Sequence, residues 1–160
     1  MIRVLFVCTG NICRSPSAEG VFKHQVAAAG LADRITADSA GTHDFHVGDA
    51  PDERAQQAAL KRGYDISKLH GRQVIRRDFL EFDYVLAMDQ LNMKLLVRLC
   101  PPEQRHKLKL FMEFAPEAAT LEVPDPYSGS AEDFEQVLDL LEAASEGLLA
   151  HVRDRLEASR

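Results

Sequence analysis

The chain has 160 residues, 46% hydrophobic and 28% charged, with a formal net charge of −6 at neutral pH. A domain of that length buries roughly 70% of its unfolded surface, so residues 1–160 are expected to form a single domain whose core needs no staples. The acidic balance argues against a nucleic-acid surface and gives no long-range attraction for an anionic substrate. Three cysteines, an odd number, make no disulfide framework and fit a reducing compartment. No apolar run reaches the about 18 residues of a membrane span, and the apolar start of the chain is too short for a signal peptide. The expected location is therefore the cytoplasm. Six histidines are scattered without a metal-ligand cluster, and neither a metal nor a cofactor is expected.

Residues 4–7 are four consecutive apolar side chains and read as a buried strand. Pro16 suits the first turn of a helix, because its missing N–H falls where helices have unpaired donors anyway. Between them, residues 8–15 form a strand-to-helix turn. Its main-chain N–H groups converge at a helix N-terminus, where orphan donors and the helix dipole favour an anion. The turn is thus expected to cradle a phosphate. Gly10 supplies backbone freedom, and Arg14 carries a planar fork that matches two phosphate oxygens. Cys8 stands at the mouth of the strand. Thiolates are stabilised at helix N-termini and beside Arg, which makes Cys8 the candidate nucleophile. The loop lacks the Gly-Lys-Ser/Thr ending of a nucleotide P-loop.

The first helix is expected over residues 16–30, with Val21, Phe22 and Val26 on its apolar face and Gly30 as a left-handed stop. A short strand follows at 35–40, then a polar loop at 41–50. In that loop Phe45 reads, from the residues alone, as an aromatic folded back onto the core. A helix is expected over 51–61, preceded by Asp49 or Ala50 and closed by Arg62 and Gly63. Residues 64–69 suggest a short turn or helix, and 78–82 another short helical piece. Residues 83–88 read as a strand covered on both faces. Asp89 caps the next helix, where Met93, Leu96, Val97 and Cys100 recur at helical spacing before Pro101 and Pro102 end it. A fourth strand is expected at 107–111 and a last helix at 131–158, with Phe134, Leu138, Leu141, Leu148 and Val152 on one face. The connection 112–130 contains Asp125-Pro126-Tyr127, which by itself reads as a turn.

Strands alternating with helices indicate an α/β fold: an open four-stranded parallel sheet with helices on both faces, doubly wound in the flavodoxin-like manner. The loop after the first strand then lies where the strand order reverses, the usual ligand position in such sheets.

The segment Val-Cys-Thr-Gly-Asn-Ile-Cys-Arg-Ser-Pro-Ser-Ala-Glu at 7–19 resembles the signature of the low-molecular-weight protein tyrosine phosphatases. The likeness extends to Asp38-Ser39-Ala40-Gly41, Gly48-Asp49-Ala50-Pro51-Asp52, His70-Gly71-Arg72-Gln73, Met88-Asp89 and Asp125-Pro126-Tyr127, in the family's order along nearly the whole chain. The resemblance implies hydrolysis of phosphotyrosine through a cysteinyl-phosphate intermediate, with Cys8 as nucleophile, Arg14 as phosphate binder and Asp125 as general acid. It further implies that Thr9, Gly10, Asn11, Ile12, Cys13 and Ser15 form the phosphate loop. Asn11, Ser39 and His70 would brace that loop, and Ser15 would donate to the Cys8 sulfur. Phe45 and Tyr127 would wall the substrate slot, with Asp89 as a neighbour of the site.

Each of these supporting residues has an ordinary alternative: Asn11, Ser39 and His70 as loop or core polar groups, Asp89 as a helix cap, Cys13 as small packing beneath the loop. In the family a cysteine at the position of Cys13 pairs with the nucleophile under oxidation and protects it. Mammalian relatives often have two adjacent tyrosines where this chain has Tyr127-Ser128. Two sister activities share the loop. Arsenate reductases of this fold use two further cysteines in mid-chain, and none occurs here between Cys13 and Cys100. Relatives acting on phosphoarginine have Thr where Ile12 stands. The implied partner is a phosphotyrosine protein or peptide, with an autophosphorylating bacterial tyrosine kinase as one candidate. Inorganic phosphate would be the product, no membrane or nucleic acid is implied, and a monomer is the expected state.

Overall fold

The first seven-residue strand, β1 (Ile2–Cys8), is rich in β-branched and aromatic side chains. In the computed structural model, which describes residues 1–159, the two-residue period of β1 sends Val4, Phe6 and Cys8 into one apolar cluster. Leu5 and Val7 enter another on the opposite face. Strand β2 (Ile35–Gly41) runs parallel on one side, with Ile2 opposite Ile35 and Cys8 opposite Gly41. Strand β3 (Tyr84–Ala87) runs parallel on the other, with Val4 opposite Tyr84. Strand β4 (Leu108–Leu110) adds to β3, giving the order β2-β1-β3-β4. The chain therefore leaves β1 toward one edge and returns on its other side. The carboxyl end of β1 is the switch point.

Five helices cover the sheet: α1 (Arg14–Ala28), α2 (Glu53–Lys61), α3 (Asp78–Glu81), α4 (Gln90–Leu99) and α5 (Ala131–Ala158). Helices α1, α2 and α5 bury Val21, Phe22, Ala59, Leu141 and Leu148 against the face carrying Phe6. Phe6 meets Phe22 and Phe111 edge-to-face, with centroids 5.7 and 5.0 Å apart. Helices α3 and α4 supply Phe79 and Leu96 to the other face. No helix of the described residues is long and apolar enough to cross a membrane.

Several boundaries differ from the sequence reading. Helix α1 starts at Arg14, not Pro16, so the proline occupies the third helical position, where its missing N–H is still among the orphan donors. Helix α2 starts at Glu53, and its cap is Asp52, which accepts from the main-chain N of Arg54 at 2.8 Å; neither Asp49 nor Ala50 has that role. Of the two alternatives for residues 64–69 the structure has the turn, at 67–68, with no helix. Strand β3 stops short of Asp83, whose carboxylate turns back to accept from the main-chain N of Arg3 at 2.8 Å. The connection after β4 contains two 3-10 turns, Phe111–Phe114 and Pro116–Ala118. Gly30 does take a left-handed conformation, φ +72°.

Gly147, in the middle of α5, lies directly against the 3-10 turn at 111–114: an added Cβ would overlap the Phe114 carbonyl oxygen. Helix propensity alone favours Ala over Gly by about 1 kcal/mol. Overlap with main chain costs more, about 1–3 kcal/mol in well-packed cores, because the backbone cannot swing aside. Gly147→Ala is therefore expected to lower the urea midpoint at unchanged slope, and a raised midpoint would show that α5 does not pack this closely.

Candidate active site

The turn joining β1 to α1 leaves a run of main-chain donors open. Cys13 is the helix cap, but its side chain makes no capping bond. Among the described residues, the main-chain N–H groups of 10–13 make no hydrogen bond to another part of the chain. Donors left open at a helix N-terminus suit a bound anion. Bending the chain this tightly requires Asn11 to adopt φ +57°, a conformation that Asn tolerates better than most residues but that still costs energy.

A buried polar network holds Asn11 there. Its Nδ2 donates to Ser15 Oγ at 2.7 Å and to Ser39 Oγ at 3.0 Å, while its Oδ1 accepts from the main-chain N of Arg72 at 3.0 Å. Ser39 Oγ in turn donates to Glu19 Oε1 at 2.8 Å. Asn11, Ser15, Ser39 and Glu19 are all buried. The Arg72 guanidinium is tied to Asp38 and Asp78, and its carbonyl accepts from Gly41 N at 2.8 Å. His70 is exposed and, among the described residues, forms no hydrogen bond to this network. Ser39 and Asn11 are held instead by Glu19 and by the main-chain N of Arg72.

Arg14 enters the site from below. Its guanidinium is only 2% exposed, and Nη1 donates to Asp89 Oδ2 at 2.7 Å and to the Val123 carbonyl at 2.9 Å. Nη2 reaches Thr9 Oγ1 at 3.4 Å and lies 3.7 Å from Asp125 Oδ2. Asp89 also caps α4 by accepting from Asn92 N at 2.8 Å, so it is both cap and neighbour of the site. Fully buried Asn92 donates its Nδ2 to Thr9 Oγ1 at 3.2 Å.

Cys8 Sγ lies 3.0 Å from Ser15 Oγ. A hydroxyl at that distance can donate to a thiolate. Cys8, Thr9, Gly10, Ile12, Cys13 and Arg14 line a cleft of about 250 Å³ together with Phe45, His46, Asp125 and Tyr127. Phe45 is 68% and Tyr127 51% exposed. Phe45 stacks on His43 with centroids 4.9 Å apart instead of folding onto the core. Asp125 Oδ1 accepts from Tyr127 N at 3.1 Å, which couples the carboxylate to the next aromatic residue.

Sequence reasoning assigned no role to Glu19, Arg72, Asn92 or His46. One signal for Glu19 was present: with α1 starting at Arg14, residues 15 and 19 share a face one turn apart. Arg72 and Asn92 had no such signal, since their contacts span 61 and 83 positions of chain. Cys100 packs in the smaller apolar cluster as expected.

The family model described as low molecular weight phosphotyrosine protein phosphatase matches residues 3–158. A low molecular weight protein-tyrosine-phosphatase of Streptomyces coelicolor is 44% identical over 158 residues, covering 97% of this chain and 96% of that one. The crystal structure of a protein tyrosine phosphatase from Entamoeba histolytica, with Hepes in its active site, matches at a TM-score of 0.94 and 39% identity. That match covers 96% of this chain and 98% of the other. YfkJ from Bacillus subtilis matches at a TM-score of 0.90 and 37% identity, over 97% of this chain and 96% of that one.

The second loop cysteine is chemically quiet. Burial, reinforced by the charges of Asp52, Cys8 and Asp125, pushes the Cys13 thiol up to about 12. A raised value favours the protonated form, so Cys13 is a neutral thiol across the whole neutral range and loses its proton only as the pH approaches that value. In a Cys8→Ala variant at about pH 8, where an ordinary thiol is partly ionised, iodoacetamide should leave Cys13 unlabelled in the folded protein and label it at once in guanidinium. Mass spectrometry reads both; equal labelling rates in the two states would overturn the assignment.

Proposed function

This chain belongs to the low molecular weight phosphotyrosine protein phosphatases, and from that premise we propose how its own residues carry out phosphotyrosine hydrolysis. Residues 1–160 act as one phosphatase domain. The phosphate of the substrate sits in the ring of N–H groups at 10–13, clamped by the Arg14 guanidinium. Cys8 Sγ attacks phosphorus in line: the S–P bond forms, the bond to the tyrosyl oxygen breaks, and Asp125 gives that oxygen its proton. In the second step Asp125, now a carboxylate, takes a proton from water. The water oxygen attacks phosphorus, the S–P bond breaks, and inorganic phosphate leaves. Ser15, donating to the departing sulfur, makes Cys8 a better leaving group.

The observation that carries this reading is the convergence of Cys8, Arg14 and Asp125 on one cleft with exposed aromatic rings at its mouth. No single member has that weight. The developing charge on the transferred phosphoryl group meets donors already fixed by the fold, and such preorganised electrostatics are the main source of catalysis in phosphoryl transfer. Phe45 and Tyr127 receive the flat ring of phosphotyrosine, and a phosphoserine side chain is too short to bring its phosphorus to Cys8 between them. Ile12, buried at the wall of the cleft, offers phosphoarginine no polar contact. A phosphotyrosine protein in the cytoplasm is the proposed substrate, an autophosphorylating tyrosine kinase one candidate for it, and the protein acts as a monomer.

Hydrolysis of phosphotyrosine, phosphoserine and phosphoarginine peptides, with Cys8→Ser as control, tests the reading. Release from the phosphotyrosine peptide alone, abolished in the variant, is expected. Preference for phosphoarginine would mean that Ile12 does not set specificity, and release from none would remove the phosphatase assignment. Asp125→Asn should cost about 100- to 10,000-fold on esters with poor leaving groups and far less on activated phenols. An equal loss on both would rule Asp125 out as the acid.

A further inference from the structure

The loop that carries Asp125 and Tyr127 buries Pro126 between them but has few hydrogen-bonded anchors to the rest of the chain. Before it, Val123 N donates to the Met88 carbonyl at 2.8 Å. After it, Ser130 and Asp133 form the capping box of α5. Between these points the main chain bonds internally: Tyr127 N to Asp125 Oδ1, and Gly129 N to the Pro126 carbonyl at 2.8 Å. Among the described residues, one side chain from elsewhere in the chain bonds the backbone of 124–129. It is Arg54, whose Nη2 donates to the Tyr127 carbonyl at 2.8 Å and whose Nη1 reaches the Gly129 carbonyl at 3.4 Å.

Arg54 is itself aimed. Its Nε donates to Asp52 Oδ1 at 3.1 Å and its Nη2 to Asp52 Oδ2 at 2.9 Å, a two-point grip that fixes the plane of the guanidinium. That plane lies beside two aromatic rings, with Cζ 4.8 Å from the centroid of Phe134 and 5.7 Å from that of Tyr127. Asp52 belongs to the phosphate loop as much as to α2, because its main-chain N donates to the Ile12 carbonyl at 2.9 Å. A continuous path therefore runs from Ile12 through Asp52 and Arg54 to Tyr127 and Asp125. Without Arg54, the direct polar contact of the Asp125 carboxylate outside its own segment is the half-exposed 3.7 Å approach to Arg14.

We infer that Arg54 is a positioning residue for the reaction: gripped by Asp52, it holds segment 124–129, and with it Asp125 and Tyr127, in register with the phosphate loop. This rests on Asp125 being the general acid. Proton transfer in the transition state depends on alignment to fractions of an ångström, so a loosened loop weakens acid catalysis while leaving the Cys8 cradle intact. The fork does the aiming, not the charge alone: a lysine ammonium cannot hold both Asp52 oxygens and two carbonyls at once.

The test compares kcat/KM, which reports the step that expels the leaving group, for phenyl phosphate and 4-nitrophenyl phosphate in wild type, Arg54→Gln, Arg54→Lys and Asp125→Asn. Arg54→Gln is expected to lose about tenfold on phenyl phosphate and under about threefold on the nitrophenyl ester, part of the full worth of the acid. Arg54→Lys should behave like Arg54→Gln. In the Asp125→Asn background the same change should have no further leaving-group dependence, since its effect passes through that carboxylate. Equal losses of Arg54→Gln on both esters, or full recovery in Arg54→Lys, would overturn the inference while leaving the acid assignment standing. A leaving-group-independent loss in Asp125→Asn itself would overturn the assignment of the acid, and the inference with it.

Discussion

Burial of the Arg14 guanidinium is the constraint that orders the centre of this molecule. An unpaired charge in a protein interior costs several kcal/mol even after relaxation, so a cation 2% exposed needs a complete set of acceptors. Three separate parts of the chain provide them: Asp89 at the start of α4, the carbonyl of Val123, and the hydroxyl of Thr9 in the loop itself. Each partner does a second task. Asp89 caps its helix, Thr9 accepts from Asn92, and Val123 ties back to Met88 at the end of β3. Fixing one side chain thus fixes the relative positions of the phosphate loop, α4 and the approach to Asp125.

Within the loop between β1 and α1 the backbone strain falls on Asn11, and the surrounding shell is built against it. Backbone conformations of this kind persist where the neighbours over-determine them. Here Asn11 uses its amide nitrogen and oxygen in three directions, toward Ser15, Ser39 and Arg72, and the serine at 39 is held in turn by Glu19. Because these groups are buried, each bond that went unmade would leave a desolvated donor or acceptor. The network is therefore stabilising only as a whole. Its value to the site is that Asn11 is fixed by the fold itself while, among the described residues, the N–H groups of 10–13 are left without partners in the chain.

The parts of this arrangement that were legible in the sequence are those encoded locally. The apolar run in β1, the strand-to-helix spacing of Cys8 and Arg14, the cap at Asp89 and the apolar stripe of α5 all follow from periodicity and end signals within a few residues. The resemblance placed Asp125, Phe45 and Tyr127 beside them, which spacing could not, because 117 positions separate Cys8 from Asp125. His70 shows the limit of both methods. A motif match located it near the loop, but the side chain of a residue in irregular chain has no periodicity to say which way it faces, and here it is exposed. Arg72, two positions on, makes the contact instead through its main-chain N–H, a group that every residue except proline possesses and that no pattern of side chains identifies.

Floor and mouth of the cleft obey opposite physical rules. Cys8, Ile12, Cys13 and Arg14 are at most 8% exposed, and packing holds them in single positions. Phe45 and Tyr127 stand in solvent, Phe45 stacked on His43 and Tyr127 held by bonds of its own loop and by Arg54. In the proposed mode of binding a substrate ring between them covers their exposed apolar area, so the mouth gains from substrate what the floor already has from the fold. Chemistry and selectivity are thereby separated. Under the proposed mechanism a substitution at the mouth acts on which phosphoester enters, through apolar burial of about 25 cal/mol per Å², whereas one at the floor disturbs buried hydrogen bonds and the reaction together. Asp125 belongs to neither region alone: half-exposed, it faces Arg14 below and is bonded to Tyr127 beside it. The proposed roles of ring seating and proton delivery therefore fall on the same segment of chain.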